Sequence, residues 1–140
     1  MNPTSLPSTI ARFAASYAVG AVVFLTLDAL WLTGMSDRLY RPAIGHLMRS
    51  DFDAIAAGAF YLVYLAGNTV FSVLPARSVR GALVRGAFFG FVAYATYDLT
   101  NQATLRGWPW RVTIVDLLWG TIVTGTSAAT AFAVIRRRAR

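Results

Sequence analysis

The sequence predicts an all-α fold, an integral membrane four-helix bundle with short loops, on three observations. Residues of the AVILMFWYC set make up 56% of the 140 and mean hydropathy is +0.53. Charged residues are only 14%, where a soluble domain carries about 25%. A soluble globule this small has a high ratio of surface to volume and needs a larger polar shell. The apolar residues also gather into four runs, each long enough to cross a hydrocarbon layer about 30 Å thick as a helix that satisfies its own backbone hydrogen bonds. The same composition excludes disorder, which needs low hydrophobicity. The absence of cysteine excludes disulfide frameworks, thiolate metal sites and cysteine nucleophiles.

The predicted spans cover residues 13–34, 54–74, 82–103 and 112–135, within one domain of residues 1–140. The first follows Arg12 and carries Asp28 and Trp31 toward its end. It is too long for the apolar core of a signal peptide and reads as a retained helix. Residues 35–53 mix Arg38, Tyr40, Arg41, His46 and Arg49 with Leu39, Ile44, Leu47 and Met48. That pattern suits a partly helical segment at the membrane interface, and Pro42 with Gly45 rules against a long regular helix there. The second span holds Tyr61, Tyr64 and Asn68. In the third, Ala82, Gly86 and Gly90 recur every fourth residue, as do Gly120 and Thr124 in the fourth. Such small residues let helices approach closely, within the bundle or in a homo-oligomer through Gly86 and Gly90.

All 13 basic residues are arginine and all 6 acidic ones aspartate. The arginines are scattered between apolar runs, which argues against nucleic-acid binding; their one cluster, Arg136, Arg137, Arg138 and Arg140, suits anionic lipid at a membrane surface. The lipid bilayer is the expected partner. Eight arginines fall on the side of the termini and five on the other, so both termini are expected in the cytoplasm.

Asp28, Asp98 and Asp116 lie inside predicted spans, where a carboxylate costs roughly 2.5–3.5 kcal/mol at a helix centre on insertion scales. All three fall within about 6–9 Å of the face opposite the termini, counting 1.5 Å per residue. Each has a companion three residues on, on the same helical face: Trp31, Asn101 and Trp119. Tyr94 stands one turn from Asp98. The candidate ligand site is therefore Asp28, Trp31, Tyr94, Asp98, Asn101, Asp116 and Trp119, with a rim of Arg41, His46, Arg106, Trp108 and Arg111. It forms an outward-facing pocket with an acidic floor, aromatic walls and a basic edge. Beside it stands a purely structural reading, in which the aspartates neutralise Arg106 or Arg111 and the tryptophans belong to an interfacial aromatic belt. The pattern Asp-x-Leu-Trp-x-Thr occurs twice, at residues 28–33 and 116–121, on helices of opposite direction. Transporters with inverted repeats place sites between such halves, and chance serves equally well as an explanation.

Five segments carry a resemblance: Leu27-Asp28-Ala29-Leu30-Trp31-Leu32, Ile44-Gly45-His46-Leu47-Met48, Phe60-Tyr61-Leu62-Val63-Tyr64, Tyr97-Asp98-Leu99-Thr100-Asn101-Gln102-Ala103-Thr104 and Val115-Asp116-Leu117-Leu118-Trp119-Gly120-Thr121. With them the chain resembles a family of predicted bacterial membrane proteins, domain of unknown function 2177, from about Phe13 to Ile135. The Tyr-Asp-Leu-Thr-Asn stretch is the most specific element. The resemblance implies a multi-pass four-helix protein of the bacterial inner membrane and supplies no activity or catalytic residue.

No haem, zinc or nucleotide signature is present, and familiar catalytic motifs are missing. If a cation is held, oxygens of Asp28, Asp98, Asn101 and Asp116 suit a hard one; a shared proton suits clustered carboxylates equally. The first functional expectation is a protein that binds or moves a small ligand, cation or proton through the aspartate pocket. The alternative is a membrane-embedded enzyme modifying a lipid or lipid-linked substrate, with a carboxylate as general base and Tyr94 or His46 assisting.

Overall fold

In the computed structural model, which describes residues 5–138, helices are the only regular secondary structure among the described residues. Helix α1 spans Ser5–Met35 and runs on through a π-helical turn, Ser36–Tyr40, into the short α2, Arg41–Ile44, and a 3₁₀ turn, Gly45–Leu47. Pro42 sits in the first turn of α2, where a missing N–H costs nothing. Helix α3 is Ala54–Asn68 and ends in a second π-helical turn, Thr69–Val73. Helix α4 is Val79–Thr104 and α5 is Trp110–Arg138. The predicted spans thus coincide with four helices: α1 begins eight residues earlier than expected, and the other ends differ by three residues or fewer once the π turn after α3 is counted. The side chain of Arg138 and the whole of Arg140 lie outside the described residues.

Local chemistry sets the starts. The Asp53 side chain caps α3 by accepting from the Ala56 N–H at 2.9 Å, and Ser78 caps α4 by accepting from Gly81 at 3.0 Å. Gly107, at φ +78°, lets the chain reverse between α4 and α5. In the segment before α3, the Arg49 guanidinium lies 2.8 Å from Asp51 and holds that exposed carboxyl below its usual range.

Among the described residues three helical stretches are long and apolar enough to cross a membrane: α1 with its continuation, α3 with its π turn, and α5. Helix α4 is as long, but Arg80, Arg85 and Asp98 dilute it. Large apolar side chains such as Val22, Leu30, Leu62, Phe71, Phe88 and Ile122 stand exposed on the outside of the bundle. That is the inverse of a soluble surface and fits lipid as solvent.

The tightest contact joins α4 to α5 in antiparallel fashion. A Cβ on Gly90 would stand 2.1 Å from the Gly120 carbonyl oxygen, and one on Gly86 2.6 Å from Ala128 Cβ. The glycine stripe expected to serve either the bundle or an oligomer is therefore in use within the chain, and a homo-oligomer would have to form on another face. Helix α1 runs antiparallel to α5, with Ser127 Oγ donating to the Gly20 carbonyl at 2.9 Å. Helix α3 is held chiefly through its terminal π turn, where Thr69, Ser72 and Val73 are buried, and touches α4 sparsely elsewhere. Its other half consequently leans away from α4.

The segment after α1 folds back over the bundle end. Leu39, Trp108 and Val112 form a buried cluster there with Met35, Ala43, Ile44 and Val115 around it. Trp108 Nε1–H donates to Thr113 Oγ1 at 3.0 Å, that hydroxyl donates to Gln102 Oε1 at 3.1 Å, and Gln102 Nε2 donates to the Trp108 carbonyl at 2.9 Å. This ring of bonds fixes the α4–α5 connection beneath the cap.

Candidate functional site

Asp28, Asp98 and Asp116 are brought to one level by three helices, and each is buried: Asp98 is 0% exposed, Asp28 and Asp116 are 7%. Asp28 on α1 accepts from Tyr61 Oη of α3 at 2.5 Å and from Trp119 Nε1 of α5 at 3.2 Å. Asp116 on α5 accepts from Tyr40 Oη at 2.5 Å, and Tyr40 in turn accepts from Trp31 Nε1 at 2.8 Å. Trp31 and Trp119 stack with ring centroids 4.3 Å apart and planes 6° from parallel. The two Asp-x-x-Trp pairs therefore brace each other crosswise. The aspartate of α1 takes the indole of α5, and the aspartate of α5 takes the indole of α1 through Tyr40.

Asp98 differs. Both of its carboxyl oxygens are buried without a donor, and its neighbour is the Asp116 carboxyl, within hydrogen-bonding reach. Two carboxylates are both acceptors, so this contact is favourable only with a proton between them or a cation beside them. No arginine supplies the missing charge. Among the described residues, ion pairs form only at Arg41 with Asp37 and at Arg49 with Asp51 and Asp53, all exposed.

A cavity of about 430 Å³ reaches Asp116 of this pair, while Asp98 is not part of its lining. Its walls are Phe60 and Tyr64 of α3, Ala93, Tyr94 and Tyr97 of α4, and Asp116. It exists because α3 leans away from α4. Tyr64, Tyr94 and Phe89 pack around its inner end, Tyr64 edge-on to Tyr94 at 6.2 Å and bonded to Thr124 Oγ1 at 2.7 Å. Tyr94 is pressed against Gly120, where a Cβ would meet its ring at 2.2 Å. Asn101 lies beside Tyr97, whose exposed ring stands at the mouth.

The sequence expectations divide accordingly. Asp28, Trp31, Asp116 and Trp119 form one network, Asp98 joins it through Asp116, and Tyr94 lines the cavity. Asn101 stands only at its margin. The basic rim does not assemble over the pocket, because the apolar cap occupies that end of the bundle. Trp108 is buried in the cap core, His46 lies beside Gly107, and Arg41, Arg106 and Arg111 are exposed without contact to the three aspartates. The cavity instead has the exposed rings of Phe60 on α3 and Tyr97 on α4 among its walls. The four-oxygen cation cage is likewise not built, since Tyr61 and Trp119 occupy both oxygens of Asp28; among the described residues no group of three or more acidic or histidine side chains is placed to hold a metal ion.

Two participants were not singled out in the sequence as site residues. Tyr40 and Tyr61 donate the shortest bonds to the aspartates, and their signal is weak: a tyrosine near a membrane interface more commonly anchors there. The placing of Tyr61 in an apolar run, one turn from Tyr64, was the available hint.

A helical bundle with exposed apolar side chains on its outside, three stretches long and apolar enough to cross a membrane, and a buried carboxylate network define an all-helical membrane protein. The family model described as predicted membrane protein (DUF2177) matches residues 13–133, and the chain belongs to that family. No curated protein and no solved structure matches it.

Proposed function

We propose that this is a four-span protein of the bacterial inner membrane, with α4 as the fourth span and both termini cytoplasmic, that binds a small lipophilic cation or protonated amine at the Asp98–Asp116 pair. The observation that carries the reading is the donor-free, fully buried Asp98 within reach of Asp116, whose carboxyl lines an aromatic-walled cavity. A protonated amine supplies both the missing donors and the missing charge. Tyr64, Tyr94 and Tyr97 offer ring faces to an alkyl chain or to the cation itself. The cavity mouth, at Phe60 and Tyr97, lies several residues inside the ends of α3 and α4, so ligand would enter from the lipid phase.

The test uses purified protein in neutral detergent, with decylamine and tetraphenylphosphonium as probes and decanol as the uncharged comparison. Saturable binding of the cations, its loss in Asp98→Asn and Asp116→Asn with helicity retained, and weaker binding of decanol are expected. Equal affinity for decanol, or full affinity in both variants, would overturn the assignment. The mouth at Phe60 and Tyr97 also favours the alternative of an enzyme acting on a lipid, with Tyr94 rather than the distant His46 beside the carboxylates. Under that reading a deletion strain changes its lipid profile and Asp98→Ala does not restore it.

A further inference from the structure

At the opposite end of the bundle, the end bearing the termini, a second cavity of about 420 Å³ lies between α1, the turn after α3, and α5. We propose that it binds a phosphate group, clasped by Arg12, Arg77 and Arg136. The three guanidinium-bearing residues come from three separate segments and line one cavity, with Ser16 one turn from Arg12 on the same face. Phe132 and Ile135 form part of its apolar wall.

No aspartate lies near it. The six aspartates are residues 28, 37, 51, 53, 98 and 116, all toward the other end of the bundle. None of the three arginines is in an ion pair among the described residues. Three like charges gathered at a cavity repel one another unless an anion sits among them. The guanidinium fork matches two phosphate oxygens at once, which a single-point donor does not. The volume exceeds that of a bare phosphate, and the apolar wall suits a glycerol backbone or the first methylenes of an acyl chain. The shared chemistry is a phosphate ester, whether a phospholipid headgroup or a free phosphorylated molecule.

Native mass spectrometry of the protein in neutral detergent tests this with phosphatidylglycerol, glycerol 3-phosphate and diacylglycerol as probes. One phosphatidylglycerol is expected to bind saturably, and diacylglycerol not. Arg77→Gln, on the exposed turn, should weaken binding about tenfold, as loss of one charge-assisted contact does. R12Q/R77Q/R136Q should abolish it, while R80Q/R85Q/R137Q, which removes equal charge outside this cavity, should retain it. If the first triple variant loses its helical fold, Arg77→Gln decides alone. Competition by glycerol 3-phosphate identifies a free phosphate ester as a sufficient ligand, and its absence identifies the lipid headgroup; both outcomes support a phosphate site. Equal losses in the two triple variants, undiminished binding in Arg77→Gln, or equal binding of diacylglycerol would overturn it.

Discussion

At the scale of single residues, the aspartates divide by what each lacks. Asp28 has a hydroxyl and an indole N–H as donors, so removing it leaves both without an acceptor in a water-poor interior. Asp28→Ala is expected to cost about 2–4 kcal/mol in unfolding from detergent. Tyr61→Phe, which takes one donor and leaves the rest, should cost about 1–2 kcal/mol. Asp98 is the reverse case, since an amide there can donate to Asp116 without any proton or cation. Asp98→Asn should therefore keep or raise the melting temperature while abolishing binding of the cationic probes. A large fall in stability would instead make Asp98 a structural residue. That the three aspartates share one depth was legible from spacing along the helices; whether they meet was not. Nor was it legible which of them would be satisfied, because the donors Tyr40 and Tyr61 come from other segments and obey no local pattern.

At the scale of elements, the four apolar runs were legible because the membrane imposes a minimum length on each. The α4–α5 seam was only half legible: the small-residue spacing announced a close approach without naming the partner. The structure shows the partner to be α5, and the geometry grades the glycines. Gly90→Ala places a methyl against the Gly120 carbonyl and the Thr124 side chain, with backbone that cannot yield cheaply. A loss of about 3 kcal/mol or more is expected. Gly58→Ala, where a Cβ meets nothing within 4 Å, should be neutral or stabilise by about 0.5–1 kcal/mol through helix propensity. Paired melts of the two variants check both. The lean of α3 left no sequence signal, since its outer half is apolar on every side and no periodicity marks a face to bury.

At the scale of the whole molecule, the bundle is closed at one end by the Leu39–Trp108–Val112 cap and holds its aromatic-walled cavity between α3 and α4. The misplaced rim follows from this. Arginines in the two outer loops suggested a polar mouth, but the apolar residues interleaved with them, Leu39 and Ile44 above all, fold inward and seal that end. Trp108→Ala should uncover it. Hydrogen exchange of residues 36–48 is expected to accelerate by tenfold or more while the α4–α5 seam keeps its protection. Unchanged exchange there would show that the cap stands without the indole.

The stacked indoles of Trp31 and Trp119 also make the molecule an optical instrument. Two chromophores held 4.3 Å apart and 6° from parallel are close enough to couple their excited states, so a circular dichroism contribution from the pair is expected that Trp31→Phe and Trp119→Phe would each remove. One ring belongs to α1 and the other to α5, each tied to a different aspartate. Any ligand that shifts those helices by an ångström will therefore change the spectrum without a label.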